Sequence, residues 1–185
     1  MTHSLHKFVM VVFVLIGALS AAFGNQAMSS TRSTVAPVAD QIIHISALVA
    51  ASPTKAFSYF TSDTLLESWL TAAADVEPRV GGKYELFWQP EDRDNNSTIG
   101  CRITALAAGQ VLAFQWRSPK QFKSFANSAD PLTHVVVSFM PEGSGTRVQL
   151  IHSGWRSGTE WEKARLWQET AWTLAFKELE RVAKQ

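Results

Sequence analysis

The segment Thr159–Ala183, TEWEKARLWQETAWTLAFKELERVA, carries the longest helical pattern of the chain. At 100° per residue, its apolar side chains fall on one face that takes about half of the circumference, wider than a minimal amphipathic stripe. Gln168 projects near the middle of this face. The apolar residues of the face are Ala164, Trp167, Ala171, Trp172, Leu174, Ala175, Phe176, Leu179 and Val182. A helix of this length spans roughly 36 Å, and we expect a sheet to cover its apolar face.

Short segments with strand character precede this helix. Gly109 and the run 141–145 mark turns between them, and consecutive strands joined by short turns pair antiparallel. Two short helices are expected after the first strand, one capped by Ser52 and one by Asp63 and ending near Trp69. The predicted strands are 41–49, 75–77, 83–89, 97–106, 111–117, 134–140 and 146–153. The sequence therefore predicts an α+β domain in which an antiparallel sheet packs on the last helix.

Four strings along this part of the chain carry a resemblance. They are SPTKAF at 52–57 with Trp69, VGGKYE at 80–85, GTRV at 145–148 followed by HSGW at 152–155, and the helix from Trp172 to Glu180. In order and spacing, the chain resembles the START-like (SRPBCC) superfamily with its helix-grip fold over about 145 residues. Within it, the chain is most similar to the group related to the C-terminal domain of the Hsp90 ATPase activator. Ala171 stands before Trp172 where the family often has Gly, and we expect this to alter close helix packing rather than the fold.

The resemblance implies a curved antiparallel sheet of about six to seven strands that grips the C-terminal helix. It also implies a deep cavity between sheet and helix, where relatives bind lipids, sterols, polyketides or other apolar molecules. Some relatives are cyclases or hydrolases, and some bind proteins. Catalytic residues differ between the branches of the superfamily, so none is carried over to this chain.

The N-terminus has the layout of a secretory signal peptide. Lys7 precedes the uncharged apolar run Phe8–Leu19 of 12 residues, and small residues follow. This run is shorter than the roughly 20 apolar residues of a membrane span. We therefore expect a signal peptide over residues 1–24, a flexible linker over 25–39 and the folded domain over 40–185, in a secreted or periplasmic protein. The alternative is an uncleaved segment that anchors the chain to a membrane.

Composition and motifs exclude several kinds of partner. Lys plus Arg is 17 and Asp plus Glu is 16, a net charge of +1, so the chain has no basic surplus for nucleic acid. Cys101 is the one cysteine, which excludes an internal disulfide and a Cys-rich zinc site. The sequence has no His-x-His or His-x-x-x-His pair, no phosphate-binding loop and no Gly-x-Ser-x-Gly motif. We therefore expect no metal, no cofactor and no nucleic acid.

Large rings and a few polar side chains are the candidate lining of the cavity. We expect the lining to include Trp69, Phe114, Trp116, His152, Gln168 and Trp172. A buried Gln168 either contacts the ligand or bonds to a strand carbonyl or a buried water. His152 alternates with Val148 and Leu150 and so faces inward. With a pKa near working pH, His152 would suit acid–base chemistry; otherwise it is a hydrogen-bonded structural residue. No catalytic residue is assigned.

Two further features bear on the cavity. Phe87 and Trp88 are adjacent in a predicted strand and cannot share a face, so one of them is expected at a rim or in solvent. The segment 118–133 is long for a hairpin connection. It is either a lid over the cavity or a loosely ordered loop.

These observations favour an exported helix-grip domain that binds a small hydrophobic molecule without chemistry. One alternative is a cyclase- or hydrolase-like enzyme on an apolar substrate, with His152 as its acid or base. Another is a protein-interaction module similar to a chaperone activator. The sequence identifies neither the ligand nor a protein partner.

Overall fold

An antiparallel sheet and a long C-terminal helix form the body of the structure, a computed structural model that describes residues 41–185. The predicted signal peptide and linker lie outside these residues. In chain order the elements are β1 (Ile43–Val49), α1 (Pro53–Ser58), α2 (Asp63–Glu67), β2 (Ala73–Val76), β3 (Tyr84–Phe87), β4 (Ile103–Ala107), β5 (Val111–Trp116), a 3-10 turn (Lys120–Phe122), α3 (Lys123–Ala126), β6 (Thr133–Glu142), β7 (Gly145–Ser153) and α4 (Thr159–Val182). Between residues 41 and 185, no helix combines the length and the apolar character that a bilayer span requires.

The main sheet has five strands in the order β1-β7-β6-β5-β4, and every neighbouring pair is antiparallel. The strands β2 and β3 pair with each other in a separate two-stranded sheet. This arrangement confirms the predicted α+β helix-grip class. The seven strands are divided between two sheets, however, where the resemblance implies one.

Thr98 explains why the predicted strand 97–106 is shortened and the sheet divided. Its hydroxyl donates to the Tyr84 carbonyl at 2.9 Å and accepts from the Leu86 N–H at 2.8 Å, so a side chain replaces ladder bonds beside β3. Gly100 then turns the chain with a φ of 80°, a conformation that favours glycine. Isolated bridges, rather than a continuous ladder, join the two sheets here.

The β6–β7 hairpin is longer than its sequence pattern predicts. The run 141–145 predicts a five-residue turn, whereas Glu142 pairs with Gly145 and the turn itself consists of Gly143 and Ser144. Gly143 has a φ of 59°, which suits the first position of a two-residue hairpin turn.

The two short helices predicted after β1 are present. Ser52 caps α1 by accepting a hydrogen bond from the Lys55 N–H at 3.3 Å, and Pro53 occupies the first helical position. The predicted capping role of Asp63 is wrong, because Asp63 is the first residue of α2. Its carboxylate instead accepts from the Val76 N–H at 2.9 Å and ties α2 to β2.

The helix α4 is buried along a narrow strip. The residues of this strip recur every three or four positions and are Ala164, Gln168, Trp172, Phe176, Leu179 and Val182. The predicted apolar face is wider than the buried one, since Trp167 and Leu174 are 43% and 61% exposed. The protein covers one side of the helix, and the flanking apolar residues remain outside that contact.

An aromatic cluster holds α4 against the rest of the core. Phe60 contacts the rings of Trp69, Phe139 and Phe176 edge-on, with centroid distances of 5.0, 5.4 and 6.3 Å. Phe60 is fully buried, and Phe139 belongs to β6. The cluster therefore joins the segment after α1, the main sheet and α4.

The buried strip predicts opposite outcomes for two truncations on α4. Phe176→Ala should lower the free energy of unfolding by about 3–5 kcal/mol, because it leaves a cavity in the core. Leu174→Ala should change it by less than about 0.5 kcal/mol, because that side chain is exposed. Urea unfolding followed by circular dichroism measures both values. Equal losses for the two variants would show that the strip is assigned to the wrong face.

Candidate functional site

A cleft of about 630 Å³ opens beside α4, at the end of β5 and the segments that follow α2 and β3. Ligand sites commonly have volumes of roughly 300–1,000 Å³. Five of the seven tryptophans of the chain line the cleft: Trp69, Trp88, Trp116, Trp167 and Trp172. Most of the tryptophans of the protein are therefore concentrated around the cleft.

The exposure of the rings distinguishes the floor of the cleft, formed by Trp116 and Trp172, from its mouth, where Trp88 and Trp167 lie. Trp172 and Trp116 are 1% and 3% exposed, whereas Trp88 and Trp167 are 36% and 43% exposed. Leu174, the exposed residue of the predicted stripe, also lines the cleft. The part of the apolar face of α4 that the sheet leaves uncovered is therefore a wall of this cleft.

Strand alternation and helix periodicity place the two floor rings. Trp116 is the last residue of β5 and follows Leu112 and Phe114 on the inward face. Trp172 lies one turn after Gln168 on the buried strip of α4. The rings of Trp116 and Trp172 meet with their centroids 4.8 Å apart. Sheet and helix thus contribute one ring each to a continuous aromatic floor.

Backbone carbonyls fix two of the surrounding rings. The indole N–H of Trp69 donates to the Tyr59 carbonyl at 2.9 Å, and that of Trp88 donates to the Leu70 carbonyl at 2.8 Å. A buried indole without an acceptor would lose about 1–3 kcal/mol. These two bonds leave the ring surfaces, rather than the N–H groups, available to a ligand.

His152 lies behind the floor and accepts a hydrogen bond from the floor residue Trp172. The indole N–H of Trp172 donates to Nδ1 of His152 at 3.2 Å, and Nε2, which then carries the proton, has no partner within the described part of the chain. Burial lowers the pKa of His152 to about 3, so the ring is neutral at physiological pH. The inward orientation predicted for His152 is observed, but a pKa near working pH is wrong.

Gln168 is the polar group of the floor. It is 4% exposed, and its Oε1 accepts from the indole N–H of Trp116 at 3.2 Å. The partner is thus an indole rather than the predicted strand carbonyl or water. Because an indole N–H only donates, this bond fixes which end of the amide is the oxygen. The amide nitrogen has no hydrogen-bond partner among residues 41–185, and Gln168 lines the cleft.

The structure brings together four of the six predicted site residues. Trp69, Trp116, Gln168 and Trp172 line the cleft. Phe114 and His152 do not: Phe114 stacks on Tyr84 with a centroid distance of 3.8 Å, and His152 lies behind Trp172.

Two tryptophans of the lining, Trp88 and Trp167, are not among the predicted site residues. The adjacent pair Phe87-Trp88 indicated that one ring lies at a rim, and Trp88 does so while Phe87 is buried. Trp167 belonged to the predicted stripe, but nothing in the helical pattern separates a ring that faces a cleft from one that faces a sheet.

The segment after β5 is ordered and borders the cleft. Pro119 and Gln121 belong to the lining. Phe122 packs edge-on against Trp167 of α4, with a centroid distance of 6.0 Å. Asn127 braces the segment, since its side chain bonds both the N–H and the carbonyl of Ser118, at 2.7 and 2.9 Å. The start of the segment 118–133 thus forms one side of the cleft, and the segment is tied down by these contacts.

Other reactive groups of the described residues lie apart from this floor. No group of three or more His, Cys, Asp or Glu within residues 41–185 is placed to hold a metal ion. Cys101 is buried, and burial raises the pKa of its thiol to about 12, which keeps it protonated.

The family model described as "Activator of Hsp90 ATPase homolog 1-like protein" matches residues 50–184. None of the curated proteins matches the chain significantly. Solved structures share its fold. A protein from Mesorhizobium loti is 21% identical with a TM-score of 0.63, over 77% of this chain and 96% of its own.

Two similar structures carry functional descriptions. The Aha1 dimer from Colwellia psychrerythraea is 18% identical with a TM-score of 0.56, over 75% of this chain and 92% of its own. An HSP90 activator from Plasmodium falciparum is 19% identical with a TM-score of 0.57, over 76% of this chain and 94% of its own. At these identities, the likeness shows a shared fold.

The buried neutral His152 predicts a loss of stability in acid. In the unfolded chain the imidazole has its ordinary pKa near 6.5, and in the folded chain about 3. Between these pKa values the unfolded chain binds a proton that the folded chain does not. The contribution of His152 to the free energy of unfolding is therefore fully present above pH 6.5 and is lost as the pH drops towards 3. The slope contributed by this one group is about 1.4 kcal/mol per pH unit.

The variant His152→Asn keeps an acceptor for Trp172 and should flatten the pH dependence of the free energy of unfolding. The control is His44→Asn, at an exposed position of β1, which should show the same pH dependence as the parent protein. Urea unfolding of the parent protein and the two variants between pH 4 and 7 isolates the contribution of His152, because the three proteins share their other titrating groups. An unchanged slope in His152→Asn would contradict the assignment.

Proposed function

The chain belongs to the family of Activator of Hsp90 ATPase homolog 1-like proteins, and from this premise we propose that it binds a small hydrophobic molecule in the tryptophan-lined cleft beside α4. The observation that carries the proposal is the hydrogen bonding of the indole N–H groups. The N–H groups of Trp69, Trp88, Trp116 and Trp172 are all bonded within the protein, so the part of each ring that reaches the cleft is apolar.

The size and depth of the cleft support this function. A ligand that buries about 300 Å² of apolar surface gains roughly 7 kcal/mol before the entropic costs of binding. The floor rings of Trp116 and Trp172 are almost fully buried and already packed, so little ordering is needed on binding. A preformed site of this kind retains more of the gross gain as affinity.

The observations favour binding over acid–base catalysis. His152, the acid or base of the alternative enzyme, is neutral, fully buried and engaged by Trp172. Its remaining nitrogen is sealed from solvent. A general base must reach the proton that it takes from the substrate, and His152 lies behind the floor rather than in it.

A protein partner is the second candidate, and one observation favours it. On the outer face of the main sheet, Leu48 and Met140 flank Arg147 in register across three strands, and both are exposed. Exposed apolar residues that cluster in this way often mark an interaction surface. This surface does not belong to the lining of the cleft, so the two functions are separable by mutation.

Filling the cleft should abolish ligand binding. Ala171 lines the cleft on α4, so Ala171→Trp places an indole in the space of the ligand. We expect the affinity for Nile red, a neutral dye that fluoresces in apolar sites, to fall by about tenfold or more, the equivalent of roughly 1.4 kcal/mol. The matched control is Thr170→Trp, an exposed neighbour outside the lining. Equal dye binding by both variants, or none by the parent protein, would refute the proposed site.

We further propose that the chain is exported, with cleavage near residues 22–24, on the evidence of the N-terminal pattern. N-terminal sequencing of the protein from fractionated native cells should find a start near residue 23 or 25 outside the cytoplasm. An intact Met1 in the cytoplasmic fraction would contradict export, and an intact Met1 in the membrane fraction would identify the segment as an anchor.

A further inference from the structure

We infer that the ligand of the cleft is a neutral molecule that carries a carbonyl-type oxygen and accepts a hydrogen bond from the side-chain amide of Gln168. This inference rests on the proposed function and names the class of molecule bound. It starts from the one polar side chain of the aromatic floor. Gln168 is nine-tenths buried, lines the cleft and, among residues 41–185, bonds only through its oxygen.

The Trp116 indole sets the orientation of this amide. Because the indole N–H donates to Oε1 of Gln168, the amide nitrogen is turned away from Trp116. Nε2 is not sealed in the core: the fully buried side-chain atoms without a hydrogen bond among residues 41–185 are Tyr84 Oη, Arg117 Nε and His152 Nε2. The Gln168 amide nitrogen is therefore a donor that remains accessible from the cleft.

The other buried polar side chain of the lining is already occupied. The hydroxyl of Ser97 donates to the Arg93 carbonyl at 2.5 Å and accepts from the Ile99 N–H at 3.4 Å. The indole N–H groups of the floor are bonded as described above. A ligand that reaches the floor therefore meets apolar rings and one free donor, and an oxygen acceptor on the ligand is the group that satisfies it.

The charges around the cleft favour a neutral acceptor over a carboxylate. Arg117 belongs to the lining, but its Nε is sealed and one of its two terminal nitrogens, Nη2, lies beside Gly100, which is not in the lining. Glu178, the acidic residue of the lining, forms an ion pair with Arg181. A carboxylate at the floor would be buried without a cation, which is costly. A ketone, ester or amide oxygen carries no such cost.

The test uses three probes of one shape: fluorene, 9-fluorenone and fluorene-9-carboxylate. Equilibrium dialysis gives the affinity of the whole protein for each. The measured quantity is the change in the ratio of ketone to hydrocarbon affinity from the parent protein to each variant, because this comparison cancels the difference in solubility between the probes. Gln168→Met keeps the size of the side chain and removes the donor. Gln110→Met makes the same change at an exposed position outside the lining of the cleft.

We expect Gln168→Met to lower the ketone-to-hydrocarbon ratio by about fivefold, as the loss of one neutral hydrogen bond implies. Gln110→Met should leave the ratio unchanged, and the carboxylate should bind at least about tenfold more weakly than the ketone. Trp116→Phe, which releases the amide from its fixed orientation, should also lower the ratio. It serves as the second variant if Gln168→Met does not fold.

The outcomes separate this inference from the proposed function. If the parent protein binds neither fluorene nor fluorenone, the proposed function itself fails. If both bind and the ratio is the same in the parent protein, Gln168→Met and Trp116→Phe, the cleft binds apolar molecules but the assignment of the donor is overturned. Tighter binding of the carboxylate than of the ketone would overturn the neutral class.

Discussion

The narrow contact between α4 and the protein core is the constraint from which the cleft follows. The buried residues of α4 recur every three or four positions, whereas its apolar residues cover a wider arc. The uncovered part of that arc includes Trp167, Ala171 and Leu174, which all line the cleft. A helix with only the buried strip would bind the sheet equally well and would leave a polar flank. The wider arc therefore gives this helix a second apolar surface that its contact with the sheet does not use.

Hydrogen bonds rather than ring packing alone hold the cleft in shape. Trp116 and Trp172 contact each other, yet each also donates in a different direction, to Gln168 and to His152. A purely apolar cluster of this size can repack with little change in free energy. An indole that must keep a particular acceptor cannot, because a buried N–H without a partner costs about 1–3 kcal/mol. The neutral state of His152 belongs to the same arrangement, since a protonated Nδ1 could not accept from Trp172.

The sequence predicts the fold well and the site in part. Periodicity gives the strands and α4, because apolar side chains repeat at two residues in a strand and at 3.6 in a helix. It misplaces the end of β6 and the start of β4, where Gly143 and the Thr98 hydroxyl decide the local geometry. The Thr98 bonds and the turn at Gly143 are local details of single residues, and the period of the apolar side chains along a strand does not contain them. For the site, ring-rich positions were recognisable, but the exposure of Trp167 depends on where the sheet ends, which a helical pattern does not contain.

The groups that ionise around the cleft favour the proposed binding over acid–base chemistry. Catalysis by proton transfer needs a group whose protonation changes near working pH and whose proton reaches the ligand. His152 fails on both counts, because burial keeps it neutral and it is not among the residues that line the cleft. Glu178 pairs with Arg181, which lowers the pKa of its carboxyl and keeps it ionised. The amide of Gln168 does not titrate, so the polar group best placed to meet a ligand can orient it by a hydrogen bond without exchanging a proton.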